Sequence, residues 1–369
     1  MRRKTMKKVK RIMLIVLGCI LVFFFSLCIL LLVVSPGKIK PFVDDKGNKI
    51  DNSISEKIYV DINGVKQGMF IKGKNINNPV LLFVHGGPLM PEYFLNDKYP
   101  TGLEEYFTIC WWEQPGVGLS YSSDISKEDL TLKAIIEDTI EVTNFLREKF
   151  GKNKIYLLGH SWGSFVAIQA AYRRPELYNA YIGMGQITNQ KESEKIAYKY
   201  MIDEYSKLGN KKMVNKLKEY SIDTSDEELI KYFKSSLRDT AMHQLGIGTT
   251  HNMHSVFTGI FIPVMKCRGY TLEEKINIWR GKSYVRNNTN LINECLFADI
   301  PSMISELEVP CYFISGEYDY TVSWELVEDY YEDLKAPDKE FYLFENSAHS
   351  PMFEEPEKFI DIMVNDVLR

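Results

Sequence analysis

The sequence predicts an α/β protein: a mostly parallel, doubly wound sheet with a helical cap insertion, preceded by an N-terminal transmembrane helix. Three observations carry this. Short apolar runs stopped by Gly and Pro alternate with helical stretches over residues 80–184 and again over residues 311–367. Such alternation means strand–helix–strand units and hence a parallel sheet. Between the two blocks, residues 186–298 have helical spacing, many Lys, Glu and Tyr, and no convincing buried strand. Residues 12–34 carry no charge at all. A chain of 369 residues that is 45% hydrophobic and 25% charged has ordinary globular composition, which excludes disorder, a collagen-like rod and a small disulfide scaffold.

The uncharged run has only Gly18 and Ser26 as weakly polar breaks. At about 1.5 Å per residue its helix is roughly 34 Å long, enough for a ~30 Å hydrocarbon core with slight tilt. Residues 1–11 hold Arg2, Arg3, Lys4, Lys7, Lys8, Lys10 and Arg11 and no acid. That basic tail points to a cytoplasmic N-terminus, a single pass through the cell membrane and an extracytoplasmic body. A cleavable signal peptide is the rival reading. Its apolar core usually spans about 7–15 residues, shorter than this run, and Pro36 directly follows the Val33-Val34-Ser35 site. A buried soluble helix is the third reading. Residues 35–55, with Pro, Gly, Lys, Asp and Asn, read as a tether.

The tail holds seven of the 45 Lys and Arg, so the rest of the chain sets 38 bases against 49 acids. An acidic body argues against nucleic acid, which needs a basic face. Six Cys include no CxxC, so zinc ribbons and thioredoxin-like sites have no support. Cys110 and Cys311 read as small core residues. Spacing leaves a Cys267–Cys295 pairing open.

Runs at residues 56–62 and 65–71 flank Asn63-Gly64, a hairpin signal. Residues 80–84 and 107–112 are buried strands that stop at Gly86-Gly87-Pro88 and Gln114-Pro115-Gly116. Residues 130–150 carry Leu132, Ile135, Ile136, Ile140, Val142, Phe145 and Leu146 at helical spacing and end at Gly151. A strand at 155–158 runs into Gly159-His160-Ser161-Trp162-Gly163, followed by a helix at 164–173 and a strand at 178–184. After the insertion come a strand at 311–315, a helix at 324–334, a strand at 340–344 and a helix at 356–367. The core is therefore residues 56–185 and 299–369, and the cap residues 186–298. An insertion there covers the carboxyl ends of the strands, where ligands of open α/β sheets bind.

The chemistry lies in the turns. G-x-S-x-G between an apolar strand and a helix forces Ser161 into strained dihedrals and exposes its hydroxyl. Beside it, the first helical turn offers backbone N–H groups. The competing reading of Ser161 is the N-cap of a plain strand–helix turn. A Ser hydroxyl needs a base. Of six His, His349 alone follows the last strand in a loop, which fits the chain order Ser, acid, His. Asp319, in the loop after strand 311–315, is the acid to orient it, with Glu317 as rival. Two N–H donors must hold the oxyanion: Trp162 after the nucleophile, and Gly87 in His85-Gly86-Gly87-Pro88, with Gly86 next. His251 and His254 stand at i, i+3 with His243 nearby, but no Cys or acid completes a metal site, so no metal is expected.

His85-Gly86-Gly87-Pro88, Trp112-Glu113-Gln114-Pro115-Gly116-Val117-Gly118-Leu119-Ser120, Gly159-His160-Ser161-Trp162-Gly163-Ser164, Gly316-Glu317-Tyr318-Asp319 and His349-Ser350 fall in the order and spacing of α/β-hydrolase-fold enzymes. H-G-G-P combined with G-x-S-W-G-S most resembles the proline iminopeptidase branch. The resemblance covers residues 57–369, with the insertion as cap. It implies Ser161, Asp319 and His349 as a triad and no cofactor. There are departures. Leu89 stands where Gly usually follows the first turn, and Pro115 where Arg is usual. The W-x-x-W-E pattern, whose glutamate helps hold a substrate's free amino end in that branch, is missing, and Trp279 is the only Trp of the insertion. Glu192, Glu194, Glu204, Glu273 and Glu294 are acids for an amine, or equally solvated helix faces.

The expectation is a membrane-anchored serine hydrolase on acyl substrates, foremost a proline iminopeptidase-like aminopeptidase on short peptides. A carboxylesterase or lipase is the alternative, since Phe257, Ile260, Phe261 and Ile262 in the lid suit acyl chains. An alternative of another class is a non-catalytic, membrane-tethered ligand-binding module. The expected partners are a small-molecule or short-peptide substrate and, through the N-terminal helix, membrane lipid.

Overall fold

A computed structural model describes residues 2–368, without the side chains of residues 2–5, 7 and 8. The charges of Arg2, Arg3, Lys4, Lys7 and Lys8 in the basic tail thus lie outside the described residues. Helix α1 (Arg2–Val33) opens the chain. The most apolar window within its stretch Val9–Val33 has mean hydropathy 3.2 and no buried residue. It is long and apolar enough to cross a membrane.

The strands are β1 (Ile54–Ile62), β2 (Val65–Gly73), β3 (Val80–Val84), β4 (Thr108–Trp112), β5 (Ile155–His160), β6 (Tyr178–Met184), β7 (Cys311–Gly316) and β8 (Lys339–Phe344). They form one sheet in the order β1-β2-β4-β3-β5-β6-β7-β8. The β1–β2 hairpin is antiparallel, turned by Asn63 and Gly64 at φ 51° and 84°. Two positive φ angles are what such a turn requires, and Asn-Gly takes them most readily. β2 is also antiparallel to β4, and every other pairing is parallel.

The helices that follow α1 are α2 (Tyr93–Lys98), α3 (Leu132–Phe150) and α4 (Trp162–Arg173), then the cap helices α5 (Gln190–Lys207), α6 (Lys211–Leu217), α7 (Asp226–Phe233), α8 (Ser236–Gln244), α9 (Ile262–Lys266), α10 (Leu272–Asn288), α11 (Leu291–Leu296) and α12 (Ile300–Met303). Beyond β7 come α13 (Trp324–Asp333), α14 (Pro351–Glu354) and α15 (Pro356–Ile362). Side chains alternate across a strand, and the core splits accordingly. Leu82, Val84, Cys110, Trp112 and Leu157 pack with Ile135 and Val142 of α3, Val166 of α4 and Val327 of α13. Leu81, Phe83, Ile109, Trp111 and Leu158 face the other way, onto Phe94 of α2 and Phe359 of α15. The cap has its own core of Ala197, Met201, Tyr205, Leu217, Tyr232 and Met242.

Two expectations are corrected. The stretch read as a tether, residues 35–55, is not loose at its start. Lys275 donates to the Val34 carbonyl at 3.0 Å and to Ser35 Oγ at 2.9 Å, Pro36 bridges to Thr271, and the Lys38 amide donates to the Arg268 carbonyl. Residues 34–38 are docked on the cap. The helix expected to run to residue 367 ends at Ile362, and its last turn widens into a π-helix over Met363–Val367. All six Cys are free, Cys267 and Cys295 included.

Candidate active site

β5 runs into a sharp turn at Ser161, which has φ +55° and ψ −125°. Side chains seldom take that region. Ser161 stands at the N-cap position of α4, yet its hydroxyl caps nothing, which separates it from an ordinary N-cap serine. Close approach of α4 to the sheet dictates the flanking residues: a Cβ on Gly163 would lie 1.9 Å from the Val84 carbonyl oxygen. Trp162 and Gly163 are buried while Ser161 stays partly exposed.

His349 Nδ1 lies 2.7 Å from Asp319 Oδ2. The other carboxylate oxygen accepts from the Thr321 and Val322 amides at 2.9 and 3.0 Å. Asp319 is only 1% exposed. Three bonds therefore fix its carboxylate, and the histidine must donate from Nδ1. That leaves Nε2 as the nitrogen with a free lone pair. The rival Glu317 is exposed. Ser161 and His349 line one cavity of about 190 Å³, beneath the cap.

The turn after β3 separates the two glycines expected to donate to an oxyanion. Gly86 was the runner-up, but its amide donates to Glu92 Oε1 at 2.7 Å, so it is not free to hold an oxyanion. Gly87, at φ +131°, remains, and a Cβ there would meet the Leu89 amide at 2.3 Å. Trp162 begins α4, and first-turn amides have no partner within their helix. Its indole donates to Gln114 Oε1 at 3.0 Å, while the Gln114 side chain donates to the His85 carbonyl at 2.8 Å. One residue thus ties both halves of the expected oxyanion hole. Burial holds His85 down at about 4, so it stays neutral, accepting from the Gln114 amide.

Two carboxylates that the sequence did not single out, the buried Glu92 and the partly buried Glu354, brace the site. His160 places Nδ1 2.7 Å from Glu92 Oε2 and Nε2 2.7 Å from the His349 carbonyl. Both partners are acceptors, so the ring satisfies both only as an imidazolium. Burial opposes that charge, but the Glu92 carboxylate outweighs it and the His160 pKa is raised. Glu354 accepts from the Ala348 and Ser350 amides on either side of His349, and from His251 of the cap. Neither carboxylate has a sequence spacing that announces it.

Of the cap acids weighed from the sequence, none lines the cavity among the described residues. Glu194 is buried in a two-armed pair with Arg238. Glu192 and Glu204 pair with Lys195 and Lys207, and Glu273 is exposed. Burial raises the Glu294 pKa. Asp239 and Lys282 of the cap do line it. The ring nitrogens of His243 are engaged with the Asp239 carbonyl and Thr249, and His251 and His254 each bond a backbone carbonyl.

A strained serine at a strand–helix elbow, on a sheet of this order and under a helical cap, defines the α/β-hydrolase class. Comparison with known proteins agrees. The chain belongs to the alpha/beta hydrolase fold family, whose pattern matches residues 79–356, and to its proline iminopeptidase-like branch. YbaC of Bacillus subtilis, named a probable aminopeptidase, is 34% identical over 313 residues, covering 84% of this chain and 96% of that protein. A proline iminopeptidase of Saccharolobus solfataricus is 25% identical over 335 residues, covering 87% and 94%. The crystal structure of a Mycobacterium smegmatis proline iminopeptidase has the same fold, with a TM-score of 0.58 at 14% identity over 85% of this chain and 98% of that one.

Proposed function

We propose that the protein is a serine hydrolase, anchored by α1 with its catalytic domain outside the cell membrane, that removes an amino-terminal residue from short peptides. The observation that carries this is the His349–Asp319 pair opening on the same cavity as the strained Ser161. Ser161 Oγ attacks the acyl carbonyl, and His349 Nε2 takes its proton. The Gly87 and Trp162 amides hold the oxyanion. The tetrahedral adduct collapses as His349 returns the proton to the leaving amine. Water, deprotonated by the same nitrogen, then clears the acyl-enzyme.

The peptide reading rests on the cavity's charges and on the relatives' names. Asp239 brings a half-exposed carboxylate, with Arg238 at 3.1 Å as its neighbour. That acid suits a substrate's ammonium. Lys282 makes no ion pair among the described residues, and it suits a carboxylate. Met90, Phe94, Leu95, Val256 and Ile260 supply an apolar wall, which is the observation that favours the ester alternative.

The test is fluorophosphonate labelling of detergent-solubilised protein with peptide mapping, then a panel of proline anilides, dipeptides and acyl esters. The expected result is an adduct on Ser161 that Ser161→Ala abolishes and His349→Ala weakens. Peptide turnover should accompany it, with a KM that rises in Asp239→Asn for free-amine substrates alone. Turnover of esters with proline substrates ignored would replace the peptidase by an esterase. A folded protein with no adduct would favour a binding module.

A further inference from the structure

We propose that the cap face formed by the π-helical turn Phe257–Phe261, α9 and α10 lies in the lipid–water interface of the membrane that α1 spans. The inference rests on the anchoring read above. It follows from where α1 ends. The buried Lys275 ammonium donates at once to the Val34 carbonyl, Ser35 Oγ and the Met265 carbonyl, at 3.0, 2.9 and 2.8 Å. Val34 is the first residue past the apolar helix, so Met265 stands at the level where that helix leaves the hydrocarbon. The headgroup region is several ångströms deep on each side. Whatever lies on the outer surface beside Met265 shares that depth.

What lies there is apolar and aromatic. Met265 lines an open groove of about 750 Å³ with Phe261, Ile276 and Trp279. Phe261 stacks on Phe257 at 5.3 Å between ring centres and packs on Trp279 at 5.6 Å. Phe257 is 60% exposed and Ile276 40%, which is unusual for side chains of this kind on one small face. The rim is basic. Lys38, Lys266, Arg268 and Arg280 are exposed and make no ion pair among the described residues. Of the acids in this stretch, Glu274 is occupied by Lys57 and Tyr59, and Glu273 is exposed. An apolar, aromatic face with a cationic rim is the composition that binds the boundary of an anionic bilayer.

The placement has a consequence for access. Val256 and Ile260, from the same segment, line the cavity that holds Ser161 and His349. Phe261, the next residue, lines the groove, so one helical turn carries both linings and an amphiphilic substrate gathered in the interface is held beside the site.

The test uses the full chain in vesicles of phosphatidylglycerol and phosphatidylcholine, with the phosphatidylcholine brominated either near the headgroup or near the chain end. Trp279 is the one Trp on this face, so Trp279→Phe assigns its share of the fluorescence. Quenching by the shallow bromines that disappears in Trp279→Phe is the expected result. A chain that resists alkaline carbonate extraction yet shows no Trp279-dependent quenching overturns the inference and leaves the anchoring intact. So does a cross-linked dimer in which a second copy shields Trp279. A chain washed off the vesicles by carbonate removes the anchoring and the inference with it.

Discussion

Glu354 reaches the backbone of two segments that must stay in register for His349 to act as the base proposed above. Its Oε1 accepts from Ala348 at 2.9 Å and Ser350 at 3.4 Å, and its Oε2 from the His251 amide of the cap at 2.6 Å. Glu354→Ala leaves those amides without their acceptor and loosens the His349 loop. Misplacement of a catalytic group by about an ångström is worth up to roughly a hundredfold in rate. We expect kcat to fall by about tenfold or more with KM little changed, measured by steady-state kinetics on the best anilide or ester, and equal changes in both would count against a positioning role. At this scale the expected triad of Ser161, Asp319 and His349 could be picked out because acyl transfer demands those residue types in that chain order. What the structure adds is the His349–Asp319 bond and a cavity that Ser161 and His349 share. Glu92, Glu354 and Asp239 could not be picked out in this way. A carboxylate's task depends on which amide or ring the fold brings to it, and no spacing along the chain encodes that.

Between elements, Glu113 links the end of β4 to the cap. Its side chain accepts from the Leu119 amide at 2.6 Å and meets the Tyr270 hydroxyl. Burial pushes its pKa up to about 8, from an ordinary 4.5. The folded state therefore holds this proton over a range in which the unfolded chain has released it. The stability this confers is full below pH 4.5 and is lost as pH rises through about 8, at up to ~1.4 kcal/mol per pH unit. Thermal unfolding from pH 5 to 9 should show a fall in Tm that is shallower in Glu113→Gln. An identical slope in both proteins would mean that Glu113 is ionised in the fold. Elements of this kind were read well where burial is uniform. β3, β4, β5 and β6 are apolar runs closed by Gly or Pro, and the parallel pairings β3–β4, β3–β5 and β5–β6 join them. α2 was missed because Tyr93–Lys98 is six residues long, too short for a helical period to show. The widened turn Met363–Val367 keeps helical spacing in sequence and differs only in its hydrogen bonds.

At the scale of the whole molecule, the segment after α1 decides how the catalytic body is held. Pro, Gly, Asp and Asn in residues 35–55 describe a chain that forms no regular element, which holds as far as Ser53, and β1 begins at Ile54. Composition is silent on partners more than 200 residues away, and Lys275, Thr271 and Arg268 are what dock it. Lys275→Met keeps the length and apolar stem of the side chain but removes the donor. The Val34 and Met265 carbonyls and Ser35 Oγ are then left without it, at a cost of about 1–3 kcal/mol for a buried polar group so stranded. A loss of about 2 kcal/mol in local stability raises the open population of the segment roughly thirtyfold. Lys38 is an exposed trypsin site next to the dock, whereas Lys40 precedes Pro41 and resists the protease. Trypsin acting on vesicles that carry the protein should therefore release the catalytic body roughly thirty times faster from Lys275→Met than from wild type. The sheet and its cap should survive in both, because their cores do not involve Lys275. Equal release rates would mean that the Pro36–Thr271 bridge and the Lys38–Arg268 bond hold the segment alone, and that the body's orientation does not depend on the buried ammonium.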